Sequence, residues 1–315
     1  GFGHGAQATR WLGLCNSAVY DAHDCRNPKL TASITIGAGL TLPQLPLLSQ
    51  ILQGIPGGLD TLDLGLPFSG HALCMSDDGR TAYATSSSST NAVINLDDIT
   101  NPTLIQLFAP AGHDCGLNPD GSRLYLAQFG FVALGLGLPN GPAVGQNGMG
   151  IYDVSALHNR STAPAPLLIA PTPAQVGFLP WTNIAIGEAP SAGSHTARWF
   201  RNNGRTYLYS SDEWPTAGVC RWTWDGIIDN TRESKPGEGS GIKLEVNDPA
   251  HCAETEPDVA NYSAHYVGFD DVQNATTLFT THYSGGLRVW DIRDPAKPRE
   301  IAYWHPVPNP RTPTV

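Results

Sequence analysis

Charge is scarce in this chain: Asp, Glu, Lys and Arg make up 15% of 315 residues, and the balance is acidic, with a net charge of −10. A chain so poor in clustered Lys and Arg lacks the footprint of a nucleic-acid binder, because phosphate neutralisation needs concentrated cations. No run approaches eighteen uninterrupted apolar residues, so no helical membrane span is expected. A long amphipathic helical period is missing too, as are G-x-S-x-G, H-E-x-x-H and a P-loop. Methionine is nearly absent, with two residues, and no C-x-x-C pair offers a zinc spacing.

Glycine (34) and proline (26) are abundant, and they cut the chain into short pieces as all-β folds require. The stretch Thr277–Pro306 shows the pattern best. Three β runs are separated by a Gly285-Gly286 turn and an Asp294-Pro295 turn, which makes a meander. The pattern recurs. VYD in residues 16–36 answers VWD in residues 286–304, and related copies lie at 92–108 and 150–170. A less regular copy spans Val219–Gly226 and resumes at Ile242–Val246.

Two further β runs precede each full copy. They are His71–Ser76 with Thr81–Ser86, His113–Asn118 with Arg123–Phe129, Ser194–Arg201 with Thr206–Ser211, and Ala264–Phe269 with Thr276–His282. Three of these pairs are joined by Asp-Gly or Asn-Gly turns, which signal hairpins. Four strands per unit at this period predict a β-propeller of four-stranded antiparallel blades. Four blades are complete and the N-terminus supplies half of another. The expected organisation is one propeller domain over residues 1–315, read as a segment of a longer chain, with insertions at 37–68 and 131–148. These apolar insertions are candidates for contact with a protein partner or a larger extracellular assembly.

The blade-closing stretch Gly285–Tyr303, GGLRVWDIRDPAKPREIAY, resembles the repeat of the LVIVD-repeat proteins, a mostly bacterial family of exported β-propellers. Blade openings at Gly70-His71, Gly112-His113-Asp114, Ser194-His195 and Ser263-Ala264-His265-Tyr266 support it. The resemblance implies a propeller in a secreted or cell-envelope location and says little about activity.

Cysteine usage agrees with an oxidising compartment. The six cysteines (Cys15, Cys25, Cys74, Cys115, Cys220, Cys252) read as disulfide formers. Cys15 and Cys25 flank one turn, Cys220 and Cys252 flank a polar loop, and Cys74 and Cys115 hold similar places in successive units.

The candidate site follows from position. Every complete blade opens with a histidine: His71, His113, His195 and His265. First strands line a propeller's channel, so four imidazoles would meet at one level and suit a divalent transition metal, Zn, Cu or Fe. Carotenoid-cleaving oxygenases and the selenium-binding (methanethiol oxidase) type are similar in outline, as propellers with histidine-bound metals. Asp114, Asp212 and Glu213 are candidates to orient those histidines from behind. Arg198, three residues beyond His195, is expected on the opposite strand face, as a structural or substrate-anchoring cation rather than a channel neighbour. His251, His282 and His305 are expected at the surface or in turns, and His23 and His158 without a role. Trp222 and Trp224 are expected to pack between blades. Two functions compete. One is an exported binding or scaffold module with a histidine-lined channel; the other is a metal-dependent oxidative or hydrolytic enzyme. A repeated histidine can also be a purely structural hydrogen-bonding residue of the repeat. The small-molecule ligand is not readable from the sequence.

Overall fold

The computed structural model describes residues 15–36, 70–86, 91–108, 112–129, 147–161, 173–180, 194–213, 222–248, 250–252 and 262–306. The insertion 37–68 and nearly all of 131–148 lie outside these residues. The protein is a β-propeller with four complete blades, each an antiparallel meander. Blade 1 holds β3 (Gly70–Met75), β4 (Thr81–Ser86), β5 (Asn91–Asn95) and β6 (Thr103–Phe108). Blade 2 holds β7 (Asp114–Leu117), β8 (Arg123–Phe129), β9 (Asn147–Asp153) and β10 (Ala174–Pro180). Blade 3 holds β11 (Ser194–Asn202), β12 (Arg205–Asp212), β13 (Asp225–Asp229) and β14 (Gly237–Ile242). Blade 4 holds β15 (Ala264–Phe269), β16 (Thr277–His282), β17 (Gly286–Asp291) and β18 (Arg299–Trp304). Ahead of them, β1 (Cys15–Asp21) and β2 (Lys29–Ile36) pair as a two-stranded sheet beside blade 1. No described helix is long and apolar enough to cross a membrane.

Local chemistry explains the hairpins. At the tip of β11–β12 both Asn203 and Gly204 have positive φ (48° and 76°), as a tight two-residue turn demands. At β3–β4 the Asp78 carboxylate accepts from the Arg80 amide at 3.1 Å and from the Ser76 hydroxyl at 2.6 Å. Asp120 accepts from the Ser122 amide in the same way at 2.9 Å. These turn aspartates are thereby used by their own loops.

Blades 1 to 3 bury both faces of their middle strands, and blade 4 buries the face turned to blade 3. In β8, Leu124 and Leu126 pack toward Tyr83 and Val93 of blade 1, while Tyr125 and Ala127 pack toward Trp199 and Leu208 of blade 3. A third interface joins Phe200, Tyr209 and Ile227 to Leu278 and Trp290 of blade 4. The period-2 alternation thus feeds two different cores, and no blade could bury its faces alone. At full burial each such aromatic or leucine contributes roughly 1.5–3 kcal/mol.

Two strand expectations need correction. The third strand of blade 3 begins at Asp225, not Val219, because Trp222 and Trp224 belong to the approach to the strand. Trp224 does fill the interface with blade 2, and Trp222 lies under the Lys243 ammonium at 5.0 Å. The glycine-rich run at 237–241, which the sequence pattern leaves outside the β runs, forms β14 together with Ile242; Gly239 packs against the Ile227 carbonyl, where no side chain would fit. In blade 2 the closing strand arrives late, at 174–180. A helical turn at Ser155–His158 intervenes, and it buries Leu157 and His158 against blade 1.

Cys74 and Cys115 are disulfide-bonded, which ties the first strands of blades 1 and 2 together. Cys252 is disulfide-bonded as well, while Cys220 lies outside the described residues. Cys25 is a correction: it is a free, exposed thiol in the β1–β2 connection. Of the Cys15 side chain nothing is described.

Candidate metal centre at the channel rim

The four blade-leading histidines form an unbroken row. Ring centroids are 4.0 Å apart between His71 and His113, 4.0 Å between His113 and His195, and 4.6 Å between His195 and His265. Two structural devices put them at one level. The first is a register shift at the head of the blade's opening strand. Pairing with the second strand slips between Gly70 and Ala72, between Ser194 and Thr196, and between Ala264 and Val267, so His71, His195 and His265 each sit in the bulge. In blade 2, His113 sits just ahead of β7, its amide bonded to the Ala127 carbonyl at 2.7 Å. Bulges re-aim a side chain out of the pleat, and they concentrate where strands serve a site.

The second device is a relay between neighbouring blades. Each histidine carbonyl from blade 2 onward accepts a hydrogen bond from the preceding blade. Thr85 Oγ1 donates to His113 O (2.7 Å), His113 Nδ1 to His195 O (3.2 Å), and Thr196 Oγ1 to His265 O (2.7 Å). The height of one histidine therefore fixes the next.

The relay also assigns protons. His113 spends its Nδ1–H on the His195 carbonyl. Thr196 spends its only proton on the His265 carbonyl, so its oxygen accepts from His195 Nδ1–H, at 2.7 Å. Both rings then present a lone pair at Nε2. Both Nε2 atoms face one carboxylate. Glu213 Oε2 lies 3.2 Å from His195 Nε2 and 3.9 Å from His113 Nε2, and Glu213 Oε1 lies 3.4 Å from His265 Nε2. The Tyr283 hydroxyl donates to Oε1. His195 is wholly buried, and its Nε2 makes no hydrogen bond.

Electrostatics follow from burial. Burial, with the neighbouring histidines adding to it and Glu213 opposing, lowers the imidazole of His113 to about 3 and that of His195 to about 2. Both are neutral at physiological pH. Burial works to raise the Glu213 carboxyl, but the hydrogen bonds from His265 and Tyr283 and the facing His195 outweigh it and hold the group below the usual carboxylate range. The result is an anion facing two buried, neutral imidazoles. His113, His195 and Glu213 offer ligand atoms that all lie within 4.8 Å of one another. Imidazole nitrogens with one carboxylate suit Zn, Cu or Fe.

Several sequence expectations change here. Glu213, expected behind the histidines, is instead in front of them, on the side of their Nε2 atoms. Asp114 is fully buried and pairs with Arg198 at 2.7 Å. The partner of Arg198 is thus the residue that follows His113 in sequence. The parity argument assumed a regular strand, and the bulge at His195 breaks it. Asp212 is buried at the end of β12, its amide bonded to Trp224 O at 2.8 Å and its carbonyl accepting from Thr223 Oγ1. His282 is buried rather than at the surface. Its Nε2 meets Thr280 Oγ1 at 2.9 Å and its Nδ1 meets Tyr262 O at 3.2 Å, while Trp290 Nε1 donates to the same threonine at 2.9 Å. His158, given no role, is bonded to Thr81 Oγ1 at 3.2 Å and faces Asp78. His23, His251 and His305 are exposed, as expected of His251 and His305. Tyr266 and Tyr283 were missed. Their rings lie 4.3 Å and 4.9 Å from His265, and Tyr266 directly follows a blade-leading histidine, which is the signal that could have found it.

No family model and no curated protein matches the chain, so the LVIVD resemblance rests on the residues quoted for it. Among solved structures, the chain is similar to the periplasmic gluconolactonase of Pseudomonas aeruginosa, with 13% identity, a TM-score of 0.46, and coverage of 76% of this chain and 58% of that one. It is also similar to the WD40 repeats of RRP9, with 10% identity, a TM-score of 0.41, and coverage of 74% and 51%. The chain thus spans little more than half the length of the structures it matches, and what it shares with them is the propeller fold.

Proposed function

We propose that this protein is an exported β-propeller that binds one divalent transition-metal ion at the histidine row, and that it acts on a small ligand there as a metal-dependent enzyme. One observation carries the reading: the wholly buried Nε2 of His195 faces the anionic Glu213 carboxylate at 3.2 Å and makes no hydrogen bond. Three electron-rich groups turned toward one point repel each other unless a cation lies between them. The structural alternative would bond both nitrogens of each ring within the protein. His282 does this; His195 does not.

In this reading His113, His195 and Glu213 hold the ion, and His265 steadies the Glu213 carboxylate from one side. A bound ion of this kind would polarise a ligand oxygen or activate water. Thr196 and the His195 carbonyl orient the rings through Nδ1, as metal-bound histidines require. Tyr283, partly exposed, hydrogen-bonds Glu213 at the side from which a ligand would enter. The Cys74–Cys115 disulfide supports export, since such bonds persist in oxidising compartments. The LVIVD resemblance points to the same location.

Metal analysis of the purified full chain tests this. About one ion per chain is expected in the wild type, as a single site requires, and less than about a tenth of that in His195→Ala. A folded wild-type protein that takes up no stoichiometric Zn, Cu or Fe would overturn it.

A further inference from the structure

Arg198 is satisfied on one edge only. Its Nη1 donates to the Ala197 carbonyl at 2.9 Å and to the Cys115 carbonyl, and it ion-pairs at 2.7 Å with the Asp114 carboxylate, whose oxygens make no hydrogen bond. Its Nε and Nη2 meet no hydrogen-bond partner among the described residues, and neither is a buried orphan. The side chain keeps 29% of its surface exposed. One edge of the fork is therefore anchored, and the other is offered to solvent.

That side chain sits beside the histidine row, because Asp114, its ion-pair partner, directly follows His113. The Tyr266 ring packs at 5.6 Å against His195 and at 4.3 Å against His265. Arg198 and Tyr266 are thus both neighbours of the row.

We propose that the ligand of this site is a small carboxylic acid, whose carboxylate is received by the outward edge of Arg198 beside Tyr266. This rests on the metal reading above. A guanidinium edge with two parallel N–H groups matches a carboxylate bidentately, and a pre-anchored arginine loses little side-chain freedom on binding. Charge balance points the same way. Two carboxylates (Asp114 and Glu213), one guanidinium and a divalent ion leave one positive charge in a largely buried site, and a monoanion cancels it. Arg198 also selects against neutral ligands of the same shape, which would leave its edge unpaired.

The probes are acetate and its neutral isostere acetamide. Their binding to the metal-loaded full chain is measured by saturation-transfer NMR and calorimetry, with metal content determined on the same samples. Arg198→Lys retains a cation against Asp114, so the fold is kept, but it removes the fork. Acetate is expected to bind the wild type roughly tenfold or more tightly than Arg198→Lys. Acetamide is expected to bind both equally and weakly. Acetate binding that is undetectable in the wild type, or unchanged by Arg198→Lys, overturns the inference. The two readings fail separately: normal metal content with Arg198-independent acetate binding removes only the carboxylate, whereas Arg198-dependent acetate binding to a protein that takes up no metal removes only the metal.

Discussion

Two buried histidines, His195 at the channel rim and His282 inside blade 4, look alike by burial and differ by what is left over. Burial lowers both imidazoles, His282 to about 4 against an opposing bond to the Tyr262 carbonyl. In His282 both nitrogens are bonded within the protein, to Thr280 and Tyr262, and Trp290 completes the group. That is a closed network, and its product is stability. In His195 the protein bonds Nδ1 and turns Nε2 toward Glu213. That is an open network, which the bound ion proposed above would close. Burial alone does not mark a site; the unspent lone pair does.

The largest way to break this comparison is to delete the structural member. His282→Ala leaves Thr280, the Tyr262 carbonyl and a cavity in blade 4. It should lower unfolding stability by about 2–4 kcal/mol in a denaturant titration, with metal content unchanged. Loss of metal in this variant would mean that the two histidines are not separable.

The next effect concerns the anion. Glu213→Gln removes the charge that faces the three Nε2 atoms but preserves the shape. Metal affinity, read by competition with a chelator of known strength, should fall about tenfold to hundredfold. An unchanged affinity would place Glu213 outside the donor set.

The smallest effect is a slope. The folded-state value of His282, about 4, lies below its ordinary 6.5. Below pH 6.5 the unfolded chain binds a proton that the folded one refuses, so stability falls as pH drops from 6.5 toward 4. One such group contributes about 1.4 kcal/mol per pH unit. His113 and His195 add to the slope in the metal-free protein. Asp225 opposes it, because burial raises its carboxyl to about 8 despite the bond from the Tyr209 hydroxyl. The check is therefore a difference: metal-free His282→Ala should show a shallower loss of stability between pH 6.5 and 4.5 than metal-free wild type. Parallel curves would show that His282 accepts a proton in the fold.

Much of the fold was legible because turn chemistry is local. Asp78-Gly79, Asp120-Gly121 and Asn203-Gly204 mark hairpin tips from composition alone, and each glycine does adopt positive φ. The blade-4 strands match their sequence pattern to within a residue or so for the same reason. Where local signals were weak the reading slipped. The glycines of β14 have no side chains to alternate, and Val219–Gly226 has the right pattern for a strand that starts later.

By itself, the sequence determined four meanders and a histidine at the head of each. Tertiary structure alone decided that these histidines form a row 4.0–4.6 Å from ring to ring, that Glu213 stands before them, and that Arg198 reaches back to Asp114. The physical reason is the bulge. A single extra residue at the strand head reverses which face the following side chains occupy, and pairing register is a property of two strands together. The contacts that make the site run between blades, across separations of 69 and 82 residues, where no local spacing constrains them.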